Sequence, residues 1–354
     1  FGLPDDRVLP PGSPARAIQD EIRHNFSSEE ASALSVVAEQ AGPPSRARNA
    51  RIDAYARTLS RMSSVSRVDA LTGSYIAGNR VLGPSPISAR FLGRSATWFS
   101  VVPSVEPYSP QGETLVHNIR DTRAPFTILV SGPSATLVDS KAGISNRLPI
   151  AGIIIALVTI VVLFLMTGSV LIPLKALVLN ILSLSATFGA MVWVFQEGHF
   201  SKALGFTATG TLDSSNPILM FCIAFGLSMD YEVFLLSRIK EEHDKTGDNM
   251  GSVAIGLERT GRIVTAAAAL LAIVFLAFVT SGITFIKMFG LGMALAVVMD
   301  ATLIRGALVP AFMRLAGNAN WWAPGPLRRF HERYGLREAE DDGFAPEPVL
   351  EHTA

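Results

Sequence analysis

Five long apolar segments, all in the second half of the chain, constrain its fold more than any other feature. They cover residues 148–166, 170–195, 217–237, 263–281 and 285–315. A helix needs about 20 predominantly apolar residues to cross a bilayer. Because the bilayer core offers no water to backbone polar groups, such segments fold as helices. The second half is therefore predicted to be a polytopic α-helical membrane bundle of five spans.

The first half has a different composition, polar and rich in arginine with short apolar runs. Helix patterns cover residues 13–24, 45–62 and 110–121, and strand patterns cover 33–38, 65–71, 97–103 and 126–130. The strand–helix–strand pattern occurs twice, which indicates a small α+β domain of the split βαβ kind. A further helix over 134–146 is predicted to run close to the first span.

These patterns divide the chain into three parts. Residues 1–146 are predicted to form the α+β domain, residues 147–316 the membrane bundle, and residues 317–354 a largely disordered tail. The tail prediction rests on residues 338–354, which are acidic and poor in large apolar side chains. The chain begins with Phe1 and has no signal-peptide pattern, so we expect it to begin within a longer protein.

Basic residues predict the orientation of the bundle. They flank the connection between the third and fourth spans and follow the fifth span, at Arg238, Lys240, Lys245, Arg259, Arg262, Arg314, Arg328, Arg329, Arg333 and Arg337. Such residues are enriched on the cytoplasmic side. The sequence therefore predicts a multi-pass protein of the cell membrane, with an extracytoplasmic N-terminal domain and a cytoplasmic tail.

Two segments near the predicted cytoplasmic face have features of membrane-surface contacts. Residues 248–257 fit a short helix lying along the membrane surface, and they fit an ordinary solvated loop equally well. Trp321 and Trp322 follow the last span, where aromatic belts form, and are predicted to anchor it.

Asp230 lies next to Tyr231 inside the third apolar segment. A carboxylate near the centre of a spanning helix costs about 2.5–3.5 kcal/mol, which the neighbouring apolar side chains roughly offset. Intramembrane carboxylates usually face a bundle interior or a wet cavity, and proton relays are a recurrent use. The alternative is a structural acid, buried neutral or paired with a base.

The fifth segment carries a second polar pair, Asp300 and Arg305. Five residues span about 140° around an α-helix, so we expect each to be directed towards a neighbouring helix. Asp300 is a candidate to complete a polar cluster with Asp230, and Arg305 either pairs with an acid or extends to the cytoplasmic interface. Tyr231 points about 100° away from Asp230 and is expected to reach another helix. Small residues on the last three segments favour close packing there.

Composition excludes several classes of function. The net charge is zero, which gives no support for a nucleic-acid partner. The single cysteine, Cys222, cannot form an intrachain disulfide. The first half has neither a metal-spaced His/Cys cluster nor a Gly-x-Ser-x-Gly motif, so we expect neither an enzyme nor a bound metal or cofactor.

Several stretches together resemble one transporter family. Residues 226–238 read Gly-Leu-Ser-Met-Asp-Tyr-Glu-Val-Phe-Leu-Leu-Ser-Arg, and residues 260–267 read Thr-Gly-Arg-Ile-Val-Thr-Ala-Ala. Residues 285–292 read Phe-Ile-Lys-Met-Phe-Gly-Leu-Gly, and 300–305 read Asp-Ala-Thr-Leu-Ile-Arg. These stretches resemble the Asp-Tyr span and its neighbours in MMPL (MmpL-type) transporters of the resistance-nodulation-division superfamily, typical of actinobacteria. The opening residues 2–10 look like the start of that family's second external domain.

The resemblance implies a proton-motive-force-driven exporter of lipids or other hydrophobic molecules. Such transporters have two homologous halves of six spans, each with an external porter-type domain. This chain would be the second half without its first span, with the N-terminal half, protons and membrane lipids as partners. By the same resemblance, Asp230 and Tyr231 would be the proton-relay pair, and Asp300 and Arg305 would belong to their network. The alternative is a membrane-anchored scaffold or receptor that binds a partner without transport.

Overall fold

A computed structural model describes residues 2–26 and 30–336 of the chain. The described residues divide into two compact units, and each of the five long helices has residues in both units. The first unit contains the described residues of Phe1–Ala151, Phe188–Phe221 and Phe275–Met293, and the second contains those of Gly152–Thr187, Cys222–Val274 and Ala294–Ala354.

The first unit is built on a six-stranded sheet in which all neighbouring strands are antiparallel. The strands are β1 (Leu34–Ala38), β2 (Val65–Ala70), β3 (Gly73–Ile76), β4 (Asn79–Leu82), β5 (Thr97–Pro103) and β6 (Ile128–Ser131). Their order is β4-β3-β2-β5-β1-β6. β5 thus lies between β1 and β2, and β1 lies between β5 and β6. This is the strand order of two interleaved split βαβ units.

Three helices accompany the sheet: α1 (Pro14–Asn25), α2 (Arg46–Leu59) and α3 (Pro110–Asp121). Alternate residues of β1 and β5 are buried, as expected of strands with one face on a core. In the register of these strands, Val36 pairs with Phe99. Both pack in a continuous core with Ile52 of α2 and Val116 of α3. Burial of this apolar surface joins the two split units into one domain.

The hairpin of β3 and β4 was absent from the sequence prediction. It turns at Ala77 and Gly78, which both have positive φ, at 48° and 82°. Two consecutive residues with positive φ match the left-handed turns that suit the twist of a hairpin. The Ala-Gly pair after Ile76 was therefore the local signal for this hairpin, although Asn-Gly and Asp-Gly are the stronger forms of it.

Five helices among the described residues are long and apolar enough to cross a membrane, as predicted. They are Pro133–Thr167, Leu171–Gln196, Ser215–Thr246, Asn249–Phe278 and Thr284–Trp321. The α-helices of this region, numbered in chain order, are α4 (Pro133–Thr167), α5 (Leu171–Met191), the short α6 (Ser201–Leu204), α7 (Ser215–Thr246), α8 (Asn249–Phe278) and α9 (Thr284–Met299). A π-helical segment, Asp300–Leu308, follows α9, and α10 (Val309–Ala316) and α11 (Gly325–Tyr334) complete the chain's described elements.

Two of these helices differ from the prediction. The helix predicted over 134–146 and the first span form the single helix α4. The segment 248–257 is neither a separate surface helix nor a loop, because it forms the start of α8. Asp248 caps this helix by accepting hydrogen bonds from the backbone nitrogens of Met250 (2.9 Å) and Gly251 (3.0 Å).

The predicted tail is in part helical. Gly317–Trp321 forms a 3₁₀-helix, and α11 follows it. Residues 338–354, which carried the prediction of disorder, lie outside the described residues. Trp321 has internal contacts beyond those of an interface anchor. Its Nε1 donates to Asn249 Oδ1 at 3.0 Å, and its ring stacks on His243 at 4.1 Å between centroids, whereas Trp322 is exposed.

Candidate functional site

A polar centre lies within the apolar second unit, and Asp300 is its carboxylate. Ser228 Oγ on α7 donates a hydrogen bond to Asp300 Oδ1 at 2.7 Å. Arg305 Nη2 lies 2.5 Å from Asp300 Oδ2. The side chains of Asp300 and Arg305 are 9% and 4% exposed, so water screens this ion pair very little.

The pairing of Asp300 with Arg305 corrects the prediction that each would be directed towards a different helix. The prediction assumed α-helical geometry, whereas Asp300–Leu308 is a π-helix. In a π-helix the hydrogen bonds run from residue i to i+5, and the wider turn brings residues five apart onto one face. The Val309 N–H accordingly donates to the Ile304 carbonyl.

Pro310 supplies a local reason for the wide turn. Proline has no N–H to donate, and its ring clashes with the carbonyl four residues earlier in an α-helix. Such breaks in the hydrogen-bond ladder are common causes of helix distortion. Arg305 therefore pairs with Asp300 of its own span. Of the two alternatives for Arg305, pairing with an acid and extension to the cytoplasmic interface, the structure has the first.

Arg305 also contacts Ser228 and Tyr231 of α7. Its Nη2 donates to the Ser228 carbonyl oxygen, and its guanidinium lies over the Tyr231 ring, 5.1 Å from the centroid. Tyr231 thus reaches a group on another helix, as predicted. Arg305 Nη1 is buried, with no hydrogen-bond partner among residues 2–26 and 30–336. The centre therefore holds a cation through one carboxylate, one backbone carbonyl and one aromatic face.

A cavity of about 10 Å³ adjoins the centre, and Ser228, Tyr231 and Asp300 contribute polar groups to its lining. Alanines of three helices complete the wall at 224, 268, 296 and 301. Of these, Ala268 and Ala296 belong to the set whose small size predicted close packing. The cavity has about the minimum volume for a single water molecule. A change in the charge of Asp300 would therefore fall mainly on its two side-chain partners, since the cavity leaves room for at most about one water molecule.

Asp230 lies apart from this centre. The structure exposes its side chain, while Ser228 and Glu232 on the same helix are buried. Within the described part of the chain, no hydrogen bond or ion pair joins Asp230 to Asp300. The predicted cluster of the two acids is therefore absent from this chain's own bundle. Gly226 and Cys222, one and two turns earlier, are exposed on the same face of α7.

In the second unit, the sequence interpretation missed two buried charges. Lys175 on α5 is 2% exposed and Glu232 on α7 is 5% exposed. A signal for both was available, because each is an ionisable residue within a predicted spanning segment and such residues are rare there.

The fold and this centre together define a class: a polytopic helical membrane protein with ionisable groups inside its bundle. A model of the MMPL family matches residues 8–337. The chain therefore belongs to the MMPL family, a family of membrane proteins.

Similar proteins come from several bacteria. The chain is 48% identical over 239 residues to the membrane protein SCO6666 of Streptomyces coelicolor, and this match covers 68% of the chain and 34% of that protein. It is 42% identical over 213 residues to the trehalose monomycolate exporter MmpL3 of Mycobacterium tuberculosis, covering 60% of the chain and 22% of the exporter. It is 30% identical over 326 residues to the membrane protein YdfJ of Bacillus subtilis, and this match covers 92% of the chain and 42% of that protein. Each match thus spans less than half of the relative.

Proposed function

We propose that this chain is the C-terminal half of a transporter that exports lipids or other hydrophobic molecules across the cytoplasmic membrane, driven by the proton-motive force. The observation that carries the proposal is the Asp300–Arg305 pair, buried in apolar surroundings and held by α7. The similarity to a trehalose monomycolate exporter supports a lipid-like substrate. Membership of the MMPL family supports transport in preference to catalysis.

Protonation of Asp300 is the proposed switch. The charged carboxylate pairs with Arg305 and accepts from Ser228, so it ties the π-helical segment to α7. A proton on Asp300 removes the negative charge and leaves Arg305 with the Ser228 carbonyl and the Tyr231 ring. An uncompensated buried cation is costly, which favours a different arrangement of the two helices. Proton binding and release would thereby drive a movement of α7 against the fifth span.

Asp230 and Tyr231 are proposed to join Asp300 and Arg305 in one proton relay. Exposure of Asp230 on α7 supports a role at a surface that another helix covers, because a carboxylate facing lipid is unfavourable. Gly226 and Cys222 on the same face leave room for close approach. The proposed occupant is a helix from the N-terminal half of the transporter. Protons from the external side would reach the relay at this surface.

The proposed orientation places the sheet domain outside the cell as a porter-type domain and the C-terminal end in the cytoplasm. Basic residues around the α7–α8 connection and after the fifth span support it. In this orientation the α4–α5 connection is cytoplasmic, and α7 runs from the outside towards the inside.

The decisive experiment replaces Asp300 and Asp230 by asparagine, separately, in the complete protein expressed in its source cells. Export of radiolabelled cell-envelope lipids to the outer surface is followed with and without a protonophore. We expect each variant to lose export while its level in the membrane is retained. Asp244→Asn is the matched control, since Asp244 is exposed near the end of the same helix and bonds only Lys240 among the described residues.

The alternative, a scaffold or receptor, gives the opposite result. Such a protein would support normal lipid distribution after both substitutions and would be indifferent to the protonophore. Wild-type export by Asp300→Asn would contradict the proposed function.

A further inference from the structure

Lys175 and Glu232 are buried ionisable groups that the proposed relay leaves unused. Their side chains lie inside the second unit, and Lys175 Nζ and Glu232 Oε1 have no hydrogen-bond partner in the described part of the chain. Buried charges are normally both paired and hydrogen-bonded, because an unsatisfied buried charge is strongly unfavourable. Two such groups in one apolar bundle need an explanation.

Glu232 stands next to the Asp300 centre. It follows Ser228, the hydrogen-bond donor to Asp300, by four residues on α7, which is one turn and about 6 Å along the axis. The charged groups that act on its carboxyl are Lys175 of α5 and Arg305 and Asp300 of the fifth span. The charges of the centre and of Lys175 thus both act on Glu232.

Lys175 remains buried although its position near a helix end would allow its amine to reach the membrane surface. It lies four residues after the start of α5, and a lysine so close to a helix end can extend its amine to the membrane surface. Its side chain is instead almost completely buried, with the charge of Glu232 acting on its amine. In the proposed orientation, both Glu232 and Lys175 lie on the cytoplasmic side of Ser228.

From this placement we infer that Glu232 is a further proton-carrying residue on the inward side of the Asp300 centre, with Lys175 as its counter-charge. The inference rests on the proposed proton-driven function. A proton leaves the Asp300 carboxyl oxygen and binds a Glu232 carboxylate oxygen, and the charged Asp300 returns to its pair with Arg305. Glu232 then transfers that proton to water on the cytoplasmic side and regains the charge that Lys175 stabilises.

The first test measures proton flux through the complete protein reconstituted in vesicles of phosphatidylethanolamine and phosphatidylglycerol that enclose a pH-sensitive dye. Glu232→Gln is expected to lower the flux by about 100-fold or more, the scale of losing a proton-transfer group. Glu232→Asp keeps a titratable group and is expected to restore part of the flux with an altered pH profile. Glu241→Gln, in the last turns of the same helix, is the matched control and is expected to retain the flux.

A second variant separates proton transfer from folding. The double variant Lys175→Met with Glu232→Gln removes both buried charges, so it is expected to fold even where a single variant does not. If Glu232 carries protons, the folded double variant still lacks flux. Normal flux in that variant would overturn the inference, because it would show that the two charges serve only packing.

Asp300→Asn in the same vesicles distinguishes this inference from the proposed function. Loss of flux in Asp300→Asn together with normal flux in Glu232→Gln would overturn the role of Glu232 alone. Normal flux in both would overturn the proton-driven function itself. Infrared titration of the purified protein gives an independent readout, since Glu232→Gln is expected to remove one protonated-carboxyl band that Glu241→Gln retains.

Discussion

Two clusters of the same composition occur in this chain, one in the sheet domain and one in the membrane bundle. In the sheet domain, Asp53 accepts hydrogen bonds from Tyr75 (2.6 Å) and Arg57 (2.8 Å), and the Arg57 guanidinium lies 5.7 Å from the Tyr75 ring centroid. In the bundle, Asp300, Arg305 and Tyr231 repeat this set of an acid, an arginine and a tyrosine. The difference lies in exposure: Asp53 and Arg57 are 26% and 36% exposed, against 9% and 4% in the bundle.

The comparison teaches that burial decides what such a cluster can do. Water screens the Asp53 cluster, so a change of charge there is compensated locally and its interactions add modest stability. The Asp300 cluster has little water, so any change of charge must be met by rearrangement of the protein. The same three side chains therefore serve structure in one region and are suited to a switch in the other.

The largest effect is expected from Arg305→Met, which leaves a buried carboxylate without its cation. Breaking a buried pair in this way typically costs about 3–5 kcal/mol. Equilibrium unfolding in mixed micelles measures the loss. The double variant Arg305→Met with Asp300→Leu removes both charges and is expected to recover most of the stability. A double variant as unstable as the single one would show that the two clusters differ by something other than charge burial.

Ser228→Ala is expected to have the next largest effect. It removes the hydrogen bond to Asp300 inside the bundle, at a cost of about 1–3 kcal/mol for a buried acceptor left with fewer partners. Ser237→Ala on the same helix is the control, because its hydroxyl bonds only the nearby Phe234 carbonyl among the described residues. Equal stability of the two variants in the same unfolding assay would contradict the importance assigned to Ser228.

Acid titration of the sheet domain gives a smaller effect. Partial burial raises the pKa of Asp53, but hydrogen bonds from Arg57 and Tyr75 outweigh it and hold the pKa below its usual value. A carboxyl with a lowered pKa contributes stability above its unfolded pKa, about 3.9, and that contribution is lost as the pH falls through the folded value. Hydrogen exchange of the β2 and β3 amides should show this loss below about pH 4. Asp53→Asn should lack this component, and an unchanged acid profile would contradict the assignment.

The smallest effect is expected from Arg80→Ala. Arg80 Nη1 lies 3.6 Å from Asp53 Oδ1, and the arginine side chain is 46% exposed. Such exposed pairs contribute about 0–1 kcal/mol and weaken with salt. Hydrogen exchange of the β2 and β3 amides at low and high salt measures the contribution of this pair to stability. If Arg80→Ala lost as much stability as Ser228→Ala, and salt did not change that loss, the distinction between the exposed Asp53 cluster and the buried Asp300 cluster would be contradicted.

Local patterns predicted many of the elements well. The strand Thr97–Pro103 and the helix Pro110–Asp121 agree with the predicted bounds at both ends. The five spans were predictable because hydropathy is a property of consecutive residues. The hairpin of β3 and β4 was missed because its strands are short and its turn uses Ala77, a residue with little preference for positive φ.

The candidate site was predictable in its residue types and not in its geometry. The presence of Asp230, Tyr231, Asp300 and Arg305 inside apolar segments can be read directly from the chain. Their contacts depend on how each helix is rotated about its axis and on where its backbone departs from the α-helical turn. Ideal α-helical spacing therefore separated Asp300 from Arg305 and gave no reason to separate Asp230 from Asp300.

By itself, the sequence determined the membrane helices, their acids and bases, and the strand–helix–strand units of the domain, since each follows from hydrophobicity and spacing within a short window. Tertiary structure alone decided that a π-helix pairs Asp300 with Arg305, that Asp230 is exposed, and that Lys175 and Glu232 are both buried. The physical reason is that burial and pairing are set by the neighbouring helices and the backbone path, which bring together residues far apart in the chain.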